Sequence, residues 1–126
     1  MSIKQITIPP DFMLGAAASA WQTEGWSGKK SGQDSWIDLW YKNDRHVWHN
    51  GYGPAVATDF INRFREDVAL MKQAGLTHYR TSINWSRFLT DYENATVDEE
   101  YAAYYDALFD EMHRQGIESM ICLQHY

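Results

Sequence analysis

Two stretches of the chain carry the spacing of an amphipathic helix. From Thr58 to Ala74, apolar residues fall at Phe60, Ile61, Phe64, Val68 and Met71, while Arg65 and Lys72 lie off that line. This is one face of a 3.6-residue period and predicts a helix with one buried stripe. Gly75 follows directly, and glycine ends helices because it enters the left-handed region without a Cβ penalty. A second helix is predicted from about Val97 to Gln115, with Tyr101, Tyr105, Leu108 and Met112 as its buried stripe and Gly116 as its stop. Thr96 and Glu99 stand in T-x-x-E spacing, which predicts a capping box at its start. On that reading the "NAT" triplet at Asn94–Thr96 is a helix start rather than a glycosylation acceptor.

Each helix runs into an extended segment through the same junction. "KQAGLTHYRTSINW" and "HRQGIESMICLQHY" both read helix, glycine, one aliphatic residue, then a strand, with the two glycines 41 residues apart. A third strand is predicted in "FMLGAAASA", residues 12–20, where small side chains fit a fully buried strand with close neighbours. Between it and the first helix, Gln22 to Ala57 shows no periodicity and reads as one long loop rich in Gly, Ser, Trp and His. A loop of that length is functional or disordered, and its tryptophans argue for function. The sum is an α/β chain of about three parallel strands and two main helices, joined by crossovers long enough for parallel pairing. Either a doubly wound sheet or a barrel accommodates it. A (β/α)8 barrel takes roughly 250 residues, so on the barrel reading these 126 residues are its first part.

Composition narrows the function. Aromatics are 15% of the chain, with six Trp and eight Tyr, side chains that suit a core, an interface or a sugar-stacking surface. The net charge of −6 and the lack of a basic stripe argue against nucleic acid. Lys29-Lys30, the single basic pair, reads as a solvated loop with room for a local phosphate contact. One cysteine, Cys122, cannot form an internal disulfide and reads as a small core residue. No signal-peptide pattern and no long apolar span are present, so a cytoplasmic location without membrane contact is expected. The histidines lack metal-ligand spacing and no phosphate-binding glycine loop occurs, so neither a metal nor a cofactor is expected.

Sites in α/β sheets collect at the carboxyl ends of the strands. Those ends carry Gln22, Glu24 and Trp26 after the first strand, and Arg80, Asn84, Trp85 and Arg87 along and after the second. The third ends in Gln124, His125 and Tyr126. Polar groups converging with aromatics make a surface that hydrogen-bonds sugar hydroxyls and stacks on sugar faces. Arg80, inside an apolar extended run, requires a carboxylate or backbone acceptors.

Three segments, "DFMLGAAASAWQTEG", "ATDFINRFREDVALMKQAGLTHYRTSINWSR" and "LQHY", resemble the N-terminal signature of glycoside hydrolase family 1, the β-glucosidases and 6-phospho-β-glycosidases. The resemblance runs from about Asp11 to Tyr126. It implies a retaining β-glycosidase on a TIM barrel, with residues 1–126 as the N-terminal segment of that single barrel domain. It further implies that Gln22, His125 and Tyr126 bind the sugar and that Arg80 supports the nucleophilic glutamate. The family's two catalytic glutamates follow its fourth and seventh strands, so no catalytic residue is expected within these residues, and Glu24 matches neither. A Tyr after the histidine is common in the bacterial 6-phospho enzymes, whereas plain β-glucosidases usually have Trp there. The resemblance therefore favours a 6-phospho-β-glucoside as substrate. A plain β-glucosidase, or a non-catalytic sugar-binding module, is the alternative.

Overall fold

A computed structural model describes residues 5–125. The elements in chain order are β1 (Gly15–Ala17), α1 (Ala20–Thr23), α2 (Trp36–Asn43), α3 (Phe60–Gln73), β2 (His78–Ser82), α4 (Trp85–Phe88), β3 (Leu89–Asp91), β4 (Thr96–Val97), α5 (Glu99–Gln115) and β5 (Glu118–Cys122), with two short 3-10 turns after α2. Strands β1, β2 and β5 form one parallel sheet with β2 in the centre. Arg80 lies opposite Ala17 on one side and Met120 on the other.

The two predicted long helices form because their stripes have somewhere to go. Phe60, Phe64 and Val68 of α3 meet Tyr101, Tyr105, Leu108 and Met112 of α5, and Tyr79 and Ile117 complete the cluster. Val68 and Met112 are wholly buried, and each such side chain contributes about 1.5–3 kcal/mol by leaving water. Both glycine stops hold: Gly75 and Gly116 adopt φ of 80° and 70°.

Four sequence expectations are corrected. Thr96 does not cap α5. It belongs to β4, which pairs antiparallel with β3, and the cap is Asp98, whose side chain accepts the N–H groups of Glu100 and Tyr101. The hairpin draws Thr96 away, and Asn94 lies in its loop, where Asp91 accepts the backbone N–H groups of Glu93 and Asn94. The stretch from Gln22 to Ala57 is not a single loop. It contains α2, started by a capping box in which Ser35 and Asp38 exchange hydrogen bonds. The strand in residues 12–20 is short and exposed rather than buried, because β1 is an edge of the sheet. Lys29 is not a solvated loop residue: its side chain is 8% exposed and meets Asp34 at 2.6 Å and Asp38 at 2.7 Å.

Candidate sugar-binding site

The strand ends and the α1–α2 region converge at one end of the sheet. α1 is a single turn pinned at its start, where the backbone N–H of Ala20 donates to Ser82 Oγ of β2 at 3.0 Å. Ser82 ends its strand buried, so this bond lies inside the fold. Ser19 Oγ donates to Gln22 Oε1 at 2.6 Å and orients that amide. On the far side, Ile83 N–H donates to Cys122 carbonyl, and the Trp85 indole donates to Leu123 carbonyl at 2.6 Å. These bonds carry β5 on to Gln124 and His125.

A cleft of about 490 Å³ opens there, lined by Trp21, Trp36, Asn84, Trp85, Gln124 and His125 among others. A second groove of about 520 Å³ is lined by Trp21, Gln22, Tyr41, Trp48 and Tyr52 with the 53–57 segment. Trp21 borders both. The structure thus sets His125 and Gln22 on neighbouring hollows joined by one indole, each with hydrogen-bonding groups beside aromatic faces. Trp21 and Trp48 meet edge to face, as do Tyr41 and Trp48, so the second groove is an ordered aromatic surface. Gly53 is required there: a Cβ would come within 2.3 Å of the Tyr41 ring.

Arg80 is half-buried on the face of β2 opposite the core residue Tyr79. Among the described residues, no carboxylate or other acceptor meets its side chain. Tyr126 lies outside the described residues. No group of three potential metal ligands occurs among the described residues.

Beneath the site lies a polar network that the sequence signals only by its separate members. Glu24 is 2% exposed. The Tyr101 hydroxyl donates to Glu24 Oε2, and the Tyr105 hydroxyl donates to Oε1 at 3.1 Å. Tyr105 also accepts the Asn84 backbone N–H at 2.9 Å. Burial pushes the Glu24 carboxyl above the ordinary carboxylate value, opposed by the two tyrosine hydrogen bonds and by Arg87. Arg87 itself is buried, stacks on the Tyr101 ring with its guanidinium 4.5 Å from the centroid, and donates to the Gly25 and Ser27 carbonyls. Tyr101 and Tyr105 are driven well above the usual phenol range, by burial first and by Glu24 second. Glu24 is therefore embedded in the fold and turned away from solvent. The second missed cluster is Asp38, which accepts the Trp26 indole N–H at 2.6 Å and the Ser35 N–H at 2.8 Å while pairing with Lys29. The Ser-x-x-Asp spacing at Ser35 and Asp38 was the available signal for it.

No described helix is long and apolar enough to cross a membrane. Residues 4–126 match the family model described as glycosyl hydrolase family 1. The chain is 34% identical over 124 residues to the 6-phospho-beta-glucosidase GmuD of Bacillus subtilis, covering 98% of this chain and 26% of that protein. It is 31% identical over 122 residues to the cytosolic beta-glucosidase of Homo sapiens, covering 96% and 26%. Among solved structures, the psychrophilic beta-glucosidase BglU from Micrococcus antarcticus superposes with a TM-score of 0.83 at 33% identity over 96% of this chain and 25% of that one. Aphid myrosinase gives 0.84 at 26% identity, over 96% and 26%. The chain spans about a quarter of the length of these relatives, and its open three-stranded sheet corresponds to part of their TIM barrel. The matched motifs and the superposed sheet lead to one conclusion: the chain belongs to glycosyl hydrolase family 1.

Proposed function

We propose that these residues form the N-terminal sugar-binding part of a retaining, cytoplasmic 6-phospho-β-glucosidase. The observation that carries the reading is the pair of adjoining hollows at the strand ends, holding His125 and Gln22 on either side of Trp21. A glycoside hydroxyl set meets amide and imidazole there, and the sugar face meets indole. Tyr126 follows His125 in the sequence and is assigned to the same sugar subsite.

Retaining hydrolysis uses two carboxyl groups about 5 Å apart, one attacking the anomeric carbon and one protonating the departing oxygen. Glu24 fills neither role: it is buried under the site and bonded to two tyrosines. Both carboxyl groups are assigned to residues beyond this chain. Arg80, a half-buried cation without an acid partner among the described residues, is assigned to the attacking carboxylate. An arginine in that place holds a carboxylate ionised and oriented.

The phosphorylated substrate is favoured by Tyr126 and by the similarity to a 6-phospho-beta-glucosidase. The plain β-glucoside is the second reading, favoured by the similarity to beta-glucosidases of plant and animal origin. Competition decides between them. With the complete polypeptide that carries this chain, a chromogenic 6-phospho-β-glucoside is expected to have the higher kcat/KM. A higher value for the unphosphorylated glucoside reverses the substrate assignment and leaves the glycosidase reading in place.

A further inference from the structure

We propose that Glu24 is a positioning residue for Gln22: through Tyr101 and Tyr105 it locks the α1 turn onto the end of β2. This inference rests on the sugar-binding reading of Gln22 given above.

The turn that presents Gln22 is one turn long, and so short a helix has little stability of its own. It must be held from outside, and it is held at both ends. At its start the Ala20 N–H meets Ser82 Oγ. At its end Glu24 donates its backbone N–H to the Ala20 carbonyl at 2.9 Å and sends its side chain inward. Both carboxyl oxygens are occupied by phenol donors from α5. Tyr105 then accepts the Asn84 N–H, which fixes the residue entering the cleft after β2. One acid therefore connects three elements: the α1 turn, helix α5 and the exit of β2. Immediately beyond Glu24, Gly25 presses against the Val56 carbonyl, where a Cβ would stand 2.6 Å away. Sliding the turn out of register would break all of these contacts together.

Hydrogen-bonding geometry, rather than charge, makes the arrangement specific. Arg87 lies behind Tyr101 and donates to backbone carbonyls, so it supports the network without making an ion pair with Glu24. The hydrogen-bonding geometry is what Glu24 supplies. A glutamine can reproduce it, accepting from Tyr101 through its carbonyl and donating to Tyr105 through its amide. An alanine cannot: both buried phenols lose their carboxyl acceptor, and Tyr101 is left with the Tyr105 hydroxyl alone.

The test is a double-mutant cycle in the complete polypeptide, reading kcat and KM for the glycoside together with the thermal midpoint. Glu24→Gln is expected to stay within about 3-fold of wild type in KM. Glu24→Ala is expected to raise KM about 10-fold, and to raise it by less than 2-fold when Gln22→Ala is already present. Tyr105→Phe, which keeps the ring and removes the hydroxyl, gives the same pattern more weakly and remains available if Glu24→Ala fails to fold. Fully multiplicative KM effects of Glu24→Ala and Gln22→Ala, or of Tyr105→Phe and Gln22→Ala, overturn the positioning role while leaving the sugar site standing. A Gln22→Ala variant with unchanged KM and kcat overturns the sugar-site reading instead.

Discussion

The indole N–H of Trp85 donates to the carbonyl oxygen of Leu123 at 2.6 Å, across 38 residues of sequence. Trp85 also stands edge to face with Phe88, so its ring is fixed from two sides. The bond ties the chain just before His125 to the turn after β2, and Trp85 and His125 line the same cleft. Trp85→Phe keeps an aromatic ring and deletes the donor. It is expected to cost about 1 kcal/mol of stability, the net value of one hydrogen bond, and to raise KM for the glycoside. Urea unfolding and steady-state kinetics on the same preparation check both halves.

Gly25 and Gly32 separate two costs. Both have positive φ, 78° and 87°. A Cβ at Gly32 meets nothing within 4 Å, whereas one at Gly25 meets the backbone of Val56. Gly32→Ala is expected to cost about 1 kcal/mol, for the left-handed conformation alone. Gly25→Ala is expected to exceed it by about 1 kcal/mol or more, because a backbone carbonyl must move. Equal shifts in the thermal midpoint would contradict the close approach of the two segments.

Glu24 gives a pH signature with a defined sign. Its folded pKa is raised by burial, so the folded state holds the proton over a range in which the unfolded state has released it. Its contribution to stability is therefore greatest below the unfolded value near 4.5 and declines as pH rises toward the folded value. Other carboxyl groups act oppositely. Asp34 is held low by Lys29 and Lys42, Glu111 by Arg114, and Asp98, against the upward push of burial, by Lys30. Their contribution is present above the unfolded pKa and is lost as pH falls. The difference between wild type and Glu24→Gln isolates the first effect. Stability of Glu24→Gln relative to wild type is expected to rise from pH 4 upward, measured by chemical unfolding at stepped pH.

Leu108 is 1% exposed at the centre of the α3–α5 packing. Leu108→Ala removes packed atoms and leaves a cavity that the surrounding rings cannot refill. A loss of about 2–5 kcal/mol is expected from denaturant unfolding.

The helices were legible because their information is local. Phe60, Phe64 and Val68 announce a period, and Gly75 announces its end. The strands were legible for the same reason, since β2 and β5 start three and two residues after a helix-stopping glycine. What stayed hidden depends on distant partners. Thr96 satisfies a local capping pattern, but pairing of β4 with β3 outweighs it and passes the cap to Asp98. Helix α2 was missed because its buried residues are few, Ile37, Asp38 and Tyr41, and one of them is charged. Glu24 appeared as one polar residue after a strand; the tyrosines that claim it lie 77 and 81 residues away. Of the candidate site, the roles given to Gln22, His125 and Arg80 come from the family resemblance. The geometry adds where each residue stands and, for Gln22, that Ser19 orients its amide.

Arg80 gives a contrast between stability and turnover. With no partner for its side chain among the described residues, Arg80→Met is expected to change the unfolding free energy by less than about 0.5 kcal/mol in residues 1–126. In the complete polypeptide it is expected to lower kcat by about 100-fold if, as proposed, Arg80 orients the attacking carboxylate. A large stability loss in the short chain would reveal a partner inside it.

The most direct test is isothermal titration of the complete polypeptide with a non-hydrolysable β-glucoside analogue, in phosphorylated and plain form, using wild type, Gln22→Ala and His125→Ala. The account predicts a measurable Kd for wild type, weakened about 10-fold or more by either substitution while the thermal midpoint stays within a few degrees. Equal Kd values for all three proteins would contradict it.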